Sequence, residues 1–298
     1  MIDNPVHTSH STPHTSHSTP HLTLHTPHST PHTIMRLSLG ISTCPNDTYI
    51  YEALVQGLEN SPFEWEVHFA DVQTLNEMVR RGELDVAKVS AQVYPKVERE
   101  YTYLSCGGAI GYGCGPLLLS SVGDSFCPEK PVVLPGADTT AALLFKFWHR
   151  KTGQSEQKIE YALFDQVYRS LRSKEAVQGV VIHEHRFTWK RDGLYLLQDL
   201  GAFWEEHTGT PIPLGIGVAR RSLGEDVIVQ VEKEIRESLN IARKRENLVT
   251  PFIDKLAQID DPNVMEAHIR MFVNDFSENV GERGKASLET LWALVQGE

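Results

Sequence analysis

An alternation of short apolar strands with helices constrains the fold of this chain more than any other feature. The first predicted strand covers 36–42, in which Leu37, Leu39 and Ile41 alternate with other residues, as is typical of a β-strand. Helices and further strands follow at 49–58, 63–70, 72–81 and 86–90. Because strands joined through helices run parallel, this order predicts a parallel α/β sheet with helices on its faces.

Two glycine-bearing stretches, 101–121 and 212–219, divide the rest of the chain. Closely spaced glycines let the backbone kink and approach another strand, so we interpret these stretches, together with the polar segment 122–131, as the passages between two lobes. The first lobe is then predicted to contain 35–121 and 212–298, and the second 122–211. A lobe interrupted by another is the architecture of the type II periplasmic-binding-protein-like fold, an α/β fold with a cleft between its lobes.

Composition excludes several classes of function. The formal net charge of -11 disfavours a nucleic-acid partner, and no apolar run reaches the roughly 18 residues that a membrane span needs. The start of the chain lacks the features of a secretory signal, so we expect a cytoplasmic protein. The four cysteines have no CxxC spacing, which favours reduced thiols over a disulfide framework or a zinc site. They are Cys44, Cys106, Cys114 and Cys127.

Residues 1–34 are rich in His, Thr, Ser and Pro, and the seven residues His7–Pro13 recur unchanged at His14–Pro20. With so little apolar surface to bury, this segment is predicted to be disordered. One interpretation is a weak metal-binding tail. The interpretation that we favour is a repeat upstream of a folded protein that begins at Met35.

Four polar turns follow predicted strands, and in a parallel arrangement all four would lie at carboxyl ends of strands, where ligands bind in open α/β sheets. Helix N-termini at such turns favour an anion, so the sequence predicts a small anionic substrate in the cleft. Candidate cleft residues are Ser42, Asn46, Asp47, Thr48, Lys88, Val89, Ser90, Thr139, Thr140, His183 and Arg186. For the turns at 42–48 and 139–140, ordinary helix capping, with Asn46 or Asp47 as the N-cap, is the structural alternative.

His183 closes the apolar strand 179–183 and is the candidate general base, since an imidazole with a pKa near 6.5 accepts protons at neutral pH. Glu184 or Arg186 could orient it, and the role of His185 is left open. A purely structural histidine is the alternative. Cys44, before a helix, is a weaker candidate nucleophile because the sequence places no base near it.

These residues resemble the 1,4-dihydroxy-6-naphthoate synthase family of the futalosine route to menaquinone. The most specific match is Ser-Thr-Cys-Pro-Asn-Asp-Thr at 42–48, supported by 107–119, by Pro-Gly-Ala-Asp-Thr-Thr-Ala at 135–141 and by His-Glu-His-Arg-Phe-Thr at 183–188. The resemblance covers Met35 to about Glu298, whereas the N-terminal repeat has no counterpart in the family pattern.

The resemblance implies a lyase that converts cyclic dehypoxanthinylfutalosine into 1,4-dihydroxy-6-naphthoate without a metal or organic cofactor. It implies that His183 is the proton acceptor and that Lys88, Val89, Ser90, Thr139 and Thr140 contact the substrate. The alternatives are the chorismate dehydratase of the same pathway and a non-catalytic solute-binding protein of the same fold. Whether the chain forms a homodimer is left open.

Overall fold

A computed structural model of the chain describes residues 34–153 and 156–297. The predicted disordered tail, apart from Ile34, therefore lies outside the described residues. The strands are β1 Met35–Ile41, β2 Phe63–Phe69, β3 Val86–Ser90, β4 Tyr101–Tyr103, β5 Ala109–Gly111, β6 Leu117–Ser120, β7 Val132–Leu134, β8 Ile159–Tyr161, β9 Gln178–Val181, β10 Tyr195–Asp199 and β11 Ile212–Arg220. The helices are α1 Pro45–Gln56, α2 Val72–Arg80, α3 Tyr94–Val97, α4 Thr140–Lys151, α5 Phe164–Arg172, α6 His185–Thr188, α7 Leu200–Thr208, α8 Glu225–Arg243, α9 Pro251–Leu256, α10 Pro262–Phe272, α11 Asp275–Glu278 and α12 Gly281–Gln296.

The first sheet has the strand order β2-β1-β3-β11-β4, with β5 also paired to β11. Strands β1, β2 and β3 are parallel, as the alternation of strands and helices predicts. Strand β11 runs antiparallel to β3, β4 and β5, so the sheet is mixed. This happens because β11 enters the sheet from the second lobe instead of through a helical crossover on the same sheet.

The second sheet has the order β10-β6-β9-β7-β8, in which β7 is parallel to β8 and β9 and β6 is antiparallel to β9 and β10. The predicted boundary after residue 121 is therefore misplaced, since β6 already belongs to the second sheet. The chain passes between the lobes at 112–116, and the segment 122–131 connects two strands of the same sheet. A side chain at Gly115 would overlap the backbone of Gly201, so the passage requires glycine there.

Helix α1 begins four residues earlier than its pattern predicts. Cys44 is the N-cap, with no side-chain capping bond, and Pro45 occupies the first helical position, where its fixed φ angle suits a helix start. The expectation that Asn46 or Asp47 caps this helix is therefore wrong. Both residues lie in the first turn instead, which leaves the Asp47 carboxylate free to make other contacts.

Among the residues that the structure describes, three apolar clusters hold the two sheets and their helices together. One packs α1 and α8 against β1, a second packs α5 against β9, and the largest joins the first sheet to α4 and α12. Burial of this apolar surface is the main force that stabilises the arrangement. Within the described parts of the chain, no helix has the length and the apolar character needed to cross a membrane.

Candidate functional site

The carboxyl ends of β1, β3, β7 and β9 meet at one cavity, which contains about 760 Å³ of space between atoms, including the part that is open to solvent. Strands of both sheets contribute to its wall, together with α10 and the passages between the lobes. The lining residues include Ser42, Asn46, Asp47, Lys88, Val89, Ser90, Gly115, Thr139, Thr140, Ile182, His183, Arg186, Leu214, His268 and Phe272.

Of the eleven candidate cleft residues, only Thr48 does not line this cavity. Its side chain is fully buried, and its hydroxyl donates to the carbonyl oxygens of Cys44 and Pro45 at 3.1 and 3.3 Å. Thr48 therefore bonds back to its own helix turn and is part of the helix start. The other ten candidates share one cavity, although their separations along the chain reach more than a hundred residues.

A buried ion pair between Asp47 and Lys88 forms one wall of the cavity. The Asp47 carboxylate also accepts hydrogen bonds from the Ser42 hydroxyl at 2.7 Å and from the Asn46 amide at 2.6 Å. Both charged side chains are more than nine-tenths buried. Because each charge has its counter-charge, Lys88 does not present an unpaired ammonium group to the cavity.

The hydroxyls of Ser90 and Thr140 lie 2.9 Å apart, at the point where β3 of the first sheet meets the start of α4 in the second lobe. Thr140 donates to the Leu214 carbonyl at 3.0 Å, and its backbone N–H donates to the Ser90 oxygen at 2.7 Å. These bonds join the two lobes beside the cavity. Thr139 caps α4, since its hydroxyl oxygen accepts from the Ala142 N–H at 3.2 Å.

His183 lies two residues beyond the end of β9, so it does not close the strand as predicted, and its backbone is in a left-handed conformation with φ of 58°. Residues other than Gly seldom adopt this conformation, although Asn, Asp and His do so more often than the rest, and such positions cluster at functional sites. Burial lowers the pKa of the imidazole to about 4, although the Asp47 carboxylate acts in the opposite direction. The ring is therefore neutral at pH 7.

The Nδ1 atom of His183 lies 3.3 Å from the Sγ atom of Cys44. Burial, followed by the negative charge of Glu184, raises the pKa of the Cys44 thiol far above its usual range. The sequence places no base near Cys44, whereas the fold brings His183 into contact with it. The thiol nevertheless stays protonated, which disfavours the alternative of a cysteine nucleophile.

The neighbours of His183 along the chain do not orient its ring. Arg186 donates to the Gly115 carbonyl and to the Asp199 carboxylate, both at 2.6 Å, so its charge is paired across the passage between the lobes. His185 points away from the cavity and stacks on Tyr168, with ring centroids 3.7 Å apart. Glu184 is buried, which raises its pKa to about 7.

The cavity wall also includes His268 and Phe272, which are not among the residues predicted from the sequence. Both lie on α10, whose buried residues are Met265, His268, Ile269 and Phe272. A histidine among apolar residues at helical spacing was the available signal. In the described part of the chain, no group of three or more His, Cys, Asp or Glu side chains is arranged to hold a metal ion.

Comparison with known proteins assigns the sequence of this chain to a family. The model of a family described as "Menaquinone biosynthesis" matches residues 37–296. A protein of Streptomyces coelicolor named 1,4-dihydroxy-6-naphthoate synthase is 40% identical over 265 residues, which cover 88% of this chain and 93% of the relative. A Thermus thermophilus protein with the same name is 38% identical, with 87% and 94% of the two chains covered.

Among solved structures, protein AF1704 from Archaeoglobus fulgidus matches with a TM-score of 0.82 and 26% identity, covering 88% of this chain and 97% of that one. The ligand-binding component of an ABC-type import system from Staphylococcus aureus matches with a TM-score of 0.65 and 10% identity, covering 88% and 91%. The second match, at this identity, concerns the fold alone, and it supports the two-lobed periplasmic-binding-protein-like architecture. From the match along the folded chain, this protein is an enzyme of menaquinone biosynthesis and belongs to the 1,4-dihydroxy-6-naphthoate synthase family.

Proposed function

We propose that this enzyme is a lyase that converts cyclic dehypoxanthinylfutalosine into 1,4-dihydroxy-6-naphthoate, with His183 as the general base. The observation that carries the proposal is a neutral imidazole on the wall of a cavity where four strand ends meet. A neutral imidazole accepts a proton, and a positioned general base contributes about 10²–10⁴-fold to a rate. The electron pair left by that proton then expels the rest of the substrate as a second product, and the remaining rings become the aromatic naphthoate.

Nε2 is the proton-accepting atom in this proposal. It has no hydrogen-bond partner within the described residues, whereas Nδ1 contacts the Cys44 sulfur. If the Nδ1–H group donates to that sulfur, the lone pair of Nε2 is left for the substrate. Cys44 is then a positioning residue that selects the tautomer, and the protonated thiol takes no part in bond breaking.

The anionic end of the substrate is proposed to bind at the first turns of α1 and α4. Backbone N–H groups at helix N-termini attract carboxylates, and α4 begins at Thr140 on the cavity wall. The hydroxyls of Ser90 and Thr140 already bond to each other, so a substrate oxygen would exchange with that bond instead of filling an unused site. Lys88, Val89 and Thr139 complete the proposed contact surface.

Product analysis tests the proposal. Purified protein is incubated with cyclic dehypoxanthinylfutalosine and, in a separate reaction, with chorismate, each with and without EDTA, and the products are identified by mass spectrometry. We expect 1,4-dihydroxy-6-naphthoate from the first substrate only, at a rate that EDTA does not change. Dehydration of chorismate would support the other enzyme of the pathway, and tight binding without product would support a solute-binding protein.

The location and partners form part of the same proposal. We propose a cytoplasmic enzyme that acts on a small anionic substrate and needs neither a nucleic acid nor a membrane surface. Light scattering of the purified protein would decide between a monomer and a homodimer.

A further inference from the structure

His268 is a buried polar side chain to which the proposed reaction assigns no role. Its exposed fraction is 0%, and it lies on α10 in the wall of the cavity. Neither Nδ1 nor Nε2 has a hydrogen-bond partner within the described residues. Buried polar atoms in folded proteins are nearly always paired, so two unpaired nitrogens on one ring need an explanation.

Packing alone does not supply that explanation. The His268 ring lies among aromatic neighbours, with centroid distances of 4.5 Å to Phe272, 6.1 Å to His183 and 6.3 Å to Phe187. A phenylalanine would fill such a space without burying polar atoms, whereas a histidine with no partner loses its bonds to water and gains none. The position is therefore costly for the free fold, and a ligand that supplies a partner for one of the nitrogens reduces that cost.

The chemistry of the site selects an uncharged partner. Burial, together with the nearby His183 and Lys88, holds the pKa of His268 well below its usual range, so the ring is neutral at pH 7. A neutral imidazole donates through one nitrogen and accepts through the other. A hydroxyl group can pair with either nitrogen, because it also donates and accepts, whereas a carboxylate would be paired better by a cation or a helix N-terminus.

We propose that His268 is a substrate-contacting residue that hydrogen-bonds an uncharged oxygen of the ligand, a hydroxyl or a ring carbonyl. This inference rests on the proposed function, because the product has two hydroxyls at the far side of its rings from the carboxylate. The proposed hydrogen bond orients the ligand with its carboxylate toward the start of α4 and its oxygenated ring toward α10. Solvent does not reach either nitrogen, so side chains around the cavity must shift to admit that oxygen.

Two ligands and three variants test the inference. The ligands are 1,4-dihydroxy-6-naphthoate, kept reduced under anaerobic conditions, and 2-naphthoate, which has the same rings and carboxylate without the hydroxyls. His268→Phe keeps an aromatic ring and removes both nitrogens, and His268→Gln restores an amide donor and acceptor. The matched control is His185→Phe, because His185 also has an unpaired buried nitrogen but faces a different cavity.

We expect wild-type protein to bind the dihydroxy compound more tightly than 2-naphthoate in calorimetry. His268→Phe should reduce that preference about tenfold, the change expected for one lost hydrogen bond, without weakening 2-naphthoate. Its melting temperature should be equal to or higher than that of wild type. His268→Gln should recover part of the preference, and His185→Phe should retain all of it.

An unchanged preference in His268→Phe would overturn the inference, as would an equal loss for both ligands with a lower melting temperature, which would indicate a packing role. Turnover of cyclic dehypoxanthinylfutalosine by wild-type protein is measured in parallel. If wild type forms the naphthoate while His268→Phe keeps its preference, only this inference fails. If wild type forms no naphthoate, the proposed function fails and the inference fails with it.

Discussion

The two sides of the cavity differ in how completely their polar groups are paired. On the side of β1 and β3, Asp47 accepts bonds from Ser42 and Asn46 and forms an ion pair with Lys88. On the histidine side, His183 has one weak contact, to a thiol, and His268 has no partner within the described residues. Paired groups fix the shape of the wall, whereas unpaired groups are the ones that a ligand can engage.

The largest expected effect is on turnover, through His183. Because φ at this position is 58°, alanine would add backbone strain, and asparagine, which tolerates this conformation, is the better replacement. We expect His183→Asn to lower kcat by about 10²–10⁴-fold, the range for loss of a general base. Ligand affinity and melting temperature should change little, and kcat within tenfold of wild type would remove His183 from the mechanism.

Substitutions at the ion pair of Asp47 and Lys88 should change the free energy of unfolding. Lys88→Met leaves the Asp47 carboxylate buried without its counter-charge, which costs about 3–5 kcal/mol of unfolding free energy in comparable buried pairs. The double variant Asp47→Leu with Lys88→Met removes both charges and should recover most of that loss. Urea denaturation measures the free energy of unfolding of the single and the double variant. Equal stability of the single and double variants would show that the pair does not fix this wall.

The histidine side should also determine how stability depends on pH. Burial lowers the pKa values of His183 and His185 to about 4 and about 3, and that of His268 well below 6.5. The unfolded chain takes up these protons first, so the free energy of unfolding falls as the pH drops below about 6.5. Glu184 acts oppositely, because its raised pKa of about 7 means that the folded state binds its proton first.

Substitution separates these contributions to the pH dependence. Each neutral buried histidine adds about 1.4 kcal/mol per pH unit to the slope between pH 6.5 and 5. His268→Phe should flatten the slope by about this amount, whereas Glu184→Gln should steepen it. Urea denaturation at several pH values measures the slope, and identical slopes in all three proteins would contradict the assigned protonation states.

A smaller effect on kcat is expected at Cys44, whose sulfur contacts Nδ1 of His183. If the thiol only selects the tautomer, Cys44→Ala should lower kcat by no more than about tenfold, the scale of one hydrogen bond. Cys44→Ser should lie closer to wild type. A loss as large as that of His183→Asn would indicate that the sulfur takes part in bond breaking.

The smallest expected effect concerns the N-terminal repeat. A chain that begins at Met35 should keep the turnover and ligand affinity of the full chain, because the predicted cleft residues all follow that position. Steady-state kinetics of the two forms, measured side by side, provides the comparison. A large loss would assign a function to residues 1–34.

Local sequence patterns were sufficient to predict much of the fold and many of the residues that line the cavity. Strands β1, β2 and β3 were predicted to within one residue at each end, and in β1 and β2 the alternation of apolar residues is the strong signal. The short helices α6 and α11 and the helix α7 were missed. The strand β6 was assigned to the wrong lobe, since its pairing with β9 depends on residues some 60 positions away and leaves no local mark.

The sequence by itself determined the strand-end turns, the family pattern and the choice of His183. Only the tertiary structure decided which polar groups are paired, because pairing depends on side chains that meet across two lobes. It joined Lys88 to Asp47, placed Cys44 against His183 and brought His268 to the same cavity from a helix near the C-terminus. Local spacing sets each turn, but the packing of distant elements sets what each side chain touches.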